Sequence, residues 1–251
     1  MTLLDSILLG IVEGLTEFLP ISSTGHLVIA SDILNIPASD FLSSFIIAIQ
    51  LGAIASVVAV YWRTLFFDFK TMQRVVVAFI PTALVGFVLY KLLKDVLIDN
   101  LALIAWMLLL GGIVLVLFEK YHKEGVVNEI SYRHALLIGC IQSLAIVPGV
   151  SRAGATVIGG LSLGLTREKI VEFSFLLAIP TMLAATGYDL LKSGSSFGSG
   201  EWELLAVGFV VAFVAAFVAV KWLIRYVQSH SFAIFGWYRI ALGIALLVWL
   251  V

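Results

Sequence analysis

Six apolar runs constrain this chain more than any other feature: Phe41–Trp62, Val75–Leu93, Leu101–Phe118, Phe173–Leu191, Leu204–Ile224 and Ala233–Val251. Each is close to the ~20 residues an α-helix needs to cross a ~30 Å hydrocarbon core. Within that core a helix satisfies all of its own backbone polar groups, so continuous apolar runs commit to helix. A barrel would instead show short strands of alternating polarity. Only 12% of residues are charged and 61% are hydrophobic, whereas a soluble domain carries roughly 25% charged residues. The expected fold class is all-α: a polytopic membrane protein forming one integral-membrane domain over residues 1–251. A net charge of −1 leaves no electrostatic case for nucleic acid. The single cysteine, Cys140, excludes an intramolecular disulfide and is expected in the core. Residues 1–12 lack a basic leader, so the first helix is expected to belong to the mature fold.

The chain resembles itself. Gly10-Ile-Val-Glu-Gly-Leu aligns with Gly139-Cys-Ile-Gln-Ser-Leu, and Ser22-Ser-Thr-Gly25 with Ser151-Arg-Ala-Gly154, both at an offset of 129 residues. Phe45-Ile-Ile-Ala-Ile49 matches Phe175-Leu-Leu-Ala-Ile179 at an offset of 130. Similarity at half the chain length points to duplication, with repeat one over 1–120 and repeat two over 131–251. Each half opens with a polar-interrupted segment, 1–34 and 131–166, broken at Pro20 and at Pro148-Gly149. Proline ends a helix, so each segment is expected to fold as a re-entrant helix hairpin, followed by three transmembrane helices. Three spans per half invert the second copy relative to the first, giving two inverted-topology repeats. One side then receives Arg63, Lys70, Arg74, Lys120, Lys123, Arg133, Arg167, Lys169 and Arg225; the other receives Lys91, Lys94 and Lys192. The first side is expected to be cytoplasmic, so the first hairpin opens outward.

Polar chemistry concentrates in these two segments. Ionisable groups at membrane depth are costly and usually functional. Glu13 and Glu17, spaced i, i+4, share one helix face. A divalent cation, Mg²⁺ or Ca²⁺, would relieve their repulsion; a shared proton or a water-facing pair is the alternative. After Pro20 come Ser22, Ser23 and Thr24, at the start of a second half-helix whose free amides suit an anion. His26 is placed to assist a serine or a bound water in proton transfer; capping by the hydroxyls is the plainer reading. The second segment supplies Ser151, Arg152, Gly154 and Thr156. A buried guanidinium needs an anion: Glu13 or Glu17 across the pseudo-two-fold, or a phosphate. Together these groups suggest phosphoryl chemistry.

The strings Glu13-Gly-Leu-Thr-Glu-Phe-Leu-Pro-Ile-Ser-Ser-Thr-Gly-His26 and Pro148-Gly-Val-Ser-Arg-Ala-Gly-Ala-Thr156 resemble the two signature motifs of the bacterial undecaprenyl-diphosphate phosphatase family, the bacitracin-resistance type. The resemblance extends over essentially the whole chain, including Glu172-Phe-Ser-Phe-Leu-Leu-Ala-Ile-Pro180. It implies hydrolysis of undecaprenyl diphosphate to undecaprenyl phosphate and inorganic phosphate, recycling the lipid carrier of peptidoglycan synthesis. It further implies dependence on a divalent cation and a site facing the outer side of the bacterial cytoplasmic membrane. By matching position, Glu13, Glu17, Ser23, His26 and Arg152 resemble the catalytic groups, with Glu13 and Glu17 at the metal. Ser22, Thr24, Ser151, Gly154 and Thr156 lie beside them as substrate-binding residues. The family commonly has serine after the arginine; this chain has Ala153. The rival expectation is a transporter or lipid-carrier flippase, because inverted repeats with broken helices usually serve alternating access. The oligomeric state, a homo-oligomer included, is left open. Asp189 is expected to pair with Lys192, and Arg239 to snorkel or pair internally.

Overall fold

The structure, a computed structural model, describes residues 1–92, 100–193 and 198–250. They form α1 (Leu3–Thr16), α2 (Ser23–Ile33), α3 (Asp40–Phe67), α4 (Phe69–Leu92), α5 (Leu101–Tyr121), α6 (Tyr132–Gln142), α7 (Arg152–Ser162), α8 (Arg167–Ser193), α9 (Ser199–Tyr226) and α10 (Ala233–Trp249). A 3₁₀ turn over Ser143–Ile146 follows α6. The only β pairing among the described residues is an isolated bridge between Val127 and Leu165. Five helices are long and apolar enough to cross a membrane, and α10 is a shorter apolar helix. All six tryptophans are exposed on the outer surface, as are many large aliphatic side chains. This is the architecture of a polytopic membrane protein, with an exterior suited to lipid.

The order of elements is two short helices and three long ones, then two short helices, two long ones and the 17-residue α10. Packing follows that order. α1 lies along α9, and α6 lies along α4; α5 pairs with α10, and α3 with α8. The aligned glycines Gly10 and Gly139 serve these crossings in the same way. A Cβ on Gly10 would meet the Gly208 carbonyl at 2.8 Å, and one on Gly139 the Ala78 carbonyl at 2.1 Å. Small residues let helix backbones approach closely where no water drives association.

The first break is anchored. Between α1 and α2, Phe18 is buried and meets Phe175 of α8 edge-to-face, with ring centroids 5.3 Å apart. At one end of the molecule Arg167 Nη2 donates to Glu119 Oε2 (2.8 Å), and Glu119 also accepts the backbone N–H of Phe232 (3.1 Å). That ion pair ties α8, α5 and the entry to α10 together. Lys70, Arg74 and Lys169 line a single cavity of about 290 Å³, so three of the basic residues assigned to one side do gather. Lys91 and Lys94, and the expected Asp189–Lys192 pair, fall outside the described side chains. Cys140 corrects an expectation: it is exposed on α6, not part of the core, because Gly139 and Gln142 occupy the inward positions of that helix.

Candidate active site

The two breaks meet. Helix α1 ends at Thr16, and Glu17, its C-cap, sits at the turn that leads to α2. From there Glu17 Oε1 accepts from Arg152 Nη2 of α7 at 2.6 Å, across 135 residues of sequence. Its other oxygen, Oε2, accepts a short hydrogen bond from the Ser23 hydroxyl on the first turn of α2. Glu17 is 7% exposed and Ser23 6% exposed. A hydroxyl, a carboxylate and a guanidinium are thereby chained together inside the protein.

One helical turn earlier, Glu13 is fully buried, its carboxylate oxygens meet no N–H or hydroxyl donor, and the Glu17 carboxyl lies within hydrogen-bonding reach. Its charged neighbours are Glu17 and Arg152. Arg152 also has a bare atom: Nη1 is buried and unpartnered. An ionised carboxylate without partners costs several kcal/mol even after the protein relaxes. Two unpartnered acceptors and one unpartnered donor, side by side, fit a cation and an anionic group arriving together. The donor set suits a hard divalent cation. No group of three His, Cys, Asp or Glu that could hold a metal occurs among the described residues, so the protein's own share would be small. Glu13 is the better placed of the two expected metal ligands, since both oxygens of Glu17 are engaged.

The turn into each second helix has the same unusual backbone. Ser22 has φ 71° and Ser151 φ 74°, in the left-handed region that non-glycine residues seldom occupy. Ser151 Oγ accepts from the Gly154 N–H at 3.1 Å and caps α7. Ser22 makes no such cap; instead its carbonyl accepts from His26 Nδ1 at 2.7 Å. With Nδ1 carrying the hydrogen, neutral His26 accepts at Nε2, where Tyr238 Oη lies 2.7 Å away and the two rings stack. The expected assistance of Ser23 by His26 is therefore absent from this arrangement: Glu17 holds the serine, and His26 buttresses the Ser22 turn. Thr24 is half-buried on the same first turn of α2. Thr156 is buried, with its hydroxyl 2.8 Å from the Arg152 carbonyl and 3.1 Å from Gln142 Oε1. Ala153 is buried as well.

Ten expected site residues thus fall on the two breaks and the helix turns around them. Glu17, Ser23 and Arg152 are directly connected; Glu13 adjoins them; His26, Thr156 and Ser151 support the backbone that carries them. Two residues of α10, Tyr238 and Arg239, also reach the breaks. The charge of Arg239 inside an apolar run was the available signal; Tyr238 gave none.

Comparison with known proteins agrees in kind. The family described as Bacitracin resistance protein BacA matches residues 6–245. The chain is 50% identical over 248 residues to an undecaprenyl-diphosphatase of Aquifex aeolicus (strain VF5), covering 97% of each chain. It is 51% identical over 254 residues to one of Sulfurihydrogenibium sp. (strain YO3AOP1), covering 99% of this chain and 100% of that one. A third, from Persephonella marina, is 46% identical over 253 residues, 99% of each chain.

Proposed function

The chain belongs to the bacitracin resistance protein BacA family, and from that membership we propose that it is an undecaprenyl-diphosphatase, a membrane phosphatase that hydrolyses undecaprenyl diphosphate to undecaprenyl phosphate and inorganic phosphate. The names of the relatives support hydrolysis and lend nothing to the carrier alternative. The observation that carries the reading is the double engagement of Glu17, by Ser23 on one oxygen and by Arg152 on the other.

That geometry suggests how the chemistry runs. A terminal phosphate entering beside Arg152 meets the unpartnered Nη1 and competes for Nη2, since guanidinium binds phosphate oxygens in pairs. Each move of Arg152 toward phosphate frees Glu17 Oε1. Ser23 Oγ then attacks the terminal phosphorus, and its proton passes to Glu17. The bond between that phosphorus and the bridging oxygen breaks, and undecaprenyl phosphate departs with the electron pair. Water displaces the phosphoryl group from Ser23, and Glu17 returns the proton to Oγ. Direct attack by water, with Glu17 as base, is the variant; a trapped phosphoserine at Ser23 separates the two. Glu13, with Glu17 beside it, would hold a divalent cation such as Mg²⁺ or Ca²⁺. Bound there, the cation supplies charge neutralisation of the diphosphate.

The membrane arrangement belongs to the same proposal. Residues 1–120 and 131–251 form two inverted repeats, each a re-entrant hairpin plus three spans. The reading is supported by the exchange of packing partners, α1 on α9 against α6 on α4, and by the matching turns at Ser22 and Ser151. The basic side faces the cytoplasm, and the site opens to the outer face of the bacterial cytoplasmic membrane, where recycled carrier serves peptidoglycan synthesis. The test is phosphate release from undecaprenyl diphosphate by purified protein in detergent. Release that stops with EDTA and returns with Mg²⁺ or Ca²⁺ is expected; no release under any of these conditions contradicts the function.

A further inference from the structure

Helix breaks create a problem that the catalytic residues do not solve. Where a helix stops inside a protein, its last carbonyls lose their partners and need donors from elsewhere. The turns that follow such a stop carry bare carbonyls too, and in both breaks one side chain supplies donors to them. Arg239 of α10 is 1% exposed, and all five of its N–H donors are used on five different backbone carbonyls. Nη1 donates to Pro20 (3.1 Å) at the first break and to Val150 (2.9 Å) at the second. Nη2 donates to Gly149 (2.9 Å) and to Met107 of α5 (3.0 Å), and Nε to Leu108 of α5 (3.4 Å). No carboxylate pairs with it among the described residues; carbonyl dipoles hold the charge.

Three separate segments of chain therefore converge on one rigid fork. Gly111 makes room for it: a Cβ there would fall 2.1 Å from Nη2. Glu17 and Ser23 flank Pro20 in sequence, and Arg152 follows Val150 by two residues. One atom, Nη1, thus holds the Pro20 and Val150 carbonyls together.

We propose that Arg239 is a positioning residue for the reaction: its guanidinium fixes the two breaks at the spacing that brings Arg152 onto Glu17. Lysine cannot replace it, because an ammonium has three donors on one atom and no planar fork to span three segments. The inference rests on the phosphatase reading for its kinetic consequence and on geometry alone for its structural one.

The experiment compares wild type, Arg239→Lys and Gly111→Ala, each alone and combined with Arg152→Lys, as purified protein in detergent. Thermal unfolding and phosphate release from undecaprenyl diphosphate are both read. Loss of the fork lowers the unfolding midpoint by roughly 5 °C or more. It lowers kcat by about 100-fold, the scale of an ångström-level misplacement of reacting groups. The decisive readout is coupling. If Arg239 acts through Arg152, its kcat effect shrinks severalfold once Arg152 is lysine; a purely structural role gives the same fold-loss in both backgrounds. Gly111→Ala keeps the arginine but displaces its fork, so it must reproduce the pattern. An Arg239→Lys protein with wild-type unfolding and turnover within threefold overturns the proposal, as does equal loss in both backgrounds. Should wild type itself release no phosphate, the phosphatase reading fails, and the fork is then judged on the unfolding midpoints alone: unchanged midpoints overturn it.

Discussion

Glu13 and Gln142 occupy corresponding places in the two broken-helix pairs, and their surroundings could hardly differ more. Both are buried, at 0% and 1% exposure. Gln142 is satisfied: its Nε2 donates to Thr82 (2.9 Å), and its Oε1 lies 3.1 Å from the Thr156 hydroxyl. Glu13 meets no N–H or hydroxyl on either oxygen, and its near neighbour is another carboxyl, Glu17. The backbone around them is alike, down to the left-handed serine before the second helix. The same local geometry has thus been filled in two ways. The second pair is a closed polar network that rigidifies, and the first is left open at a cost in stability. Open, unpaired polar groups are where a protein concentrates binding and chemistry, and satisfied ones are where it holds itself together.

Exchanging the two characters breaks the comparison most sharply. Glu13→Gln is expected to lower phosphate release by about 10²–10³-fold while raising the unfolding midpoint, since it removes the cost of burying a carboxylate beside the Glu17 carboxylate. A midpoint that falls would show that the carboxylate is partnered in the folded protein. The reciprocal change, Gln142→Glu, places a charge among hydroxyls with no cation to meet it. It is expected to destabilise by roughly 3 kcal/mol, read by thermal unfolding; an unchanged midpoint would erase the distinction between the pairs. Smaller effects follow at the two serines. Ser151→Ala removes the cap of α7 and is expected to cost about 1 kcal/mol; Ser22→Ala, whose hydroxyl caps nothing, should cost less. Tyr238→Phe leaves His26 Nε2 without its donor. It is expected to lower turnover by no more than about fivefold, the worth of one hydrogen bond near 1 kcal/mol, in the same release assay.

Much of this architecture is legible in the residues themselves. Six apolar runs fall on α3, α4, α5, α8, α9 and α10 because a continuous apolar segment can satisfy its own backbone only as a helix. Pro20 and Pro148-Gly149 fall in the interruptions, but proline alone does not mark them, since Pro81 and Pro180 lie inside α4 and α8; the polar residues that follow are what set the two breaks apart. An anion for Arg152 could be anticipated from the cost of burying a guanidinium, though the choice of Glu17 over Glu13 could not. That choice depends on Glu17 being the C-cap of its helix, where its side chain reaches Ser23 of α2 and Arg152 of α7. The same accident of position gives Ser23 to Glu17, whereas helix spacing draws His26 back onto the Ser22 carbonyl four residues before it. Arg239 was visible as a charge in a span, but its partners are carbonyls, which every residue carries and no sequence pattern marks. Cys140 read as core because its neighbours are apolar; in a membrane protein apolar residues face outward as readily as inward.

The central claim is that the two pairs make one site, joined through Glu17 and Arg152. Phosphate release from undecaprenyl diphosphate by purified Glu17→Ala and Arg152→Ala, each with its unfolding midpoint measured alongside, tests it most directly. The account predicts that both variants, one from each half of the chain, remain folded and fall to background. Near-wild-type release by either folded variant would contradict it.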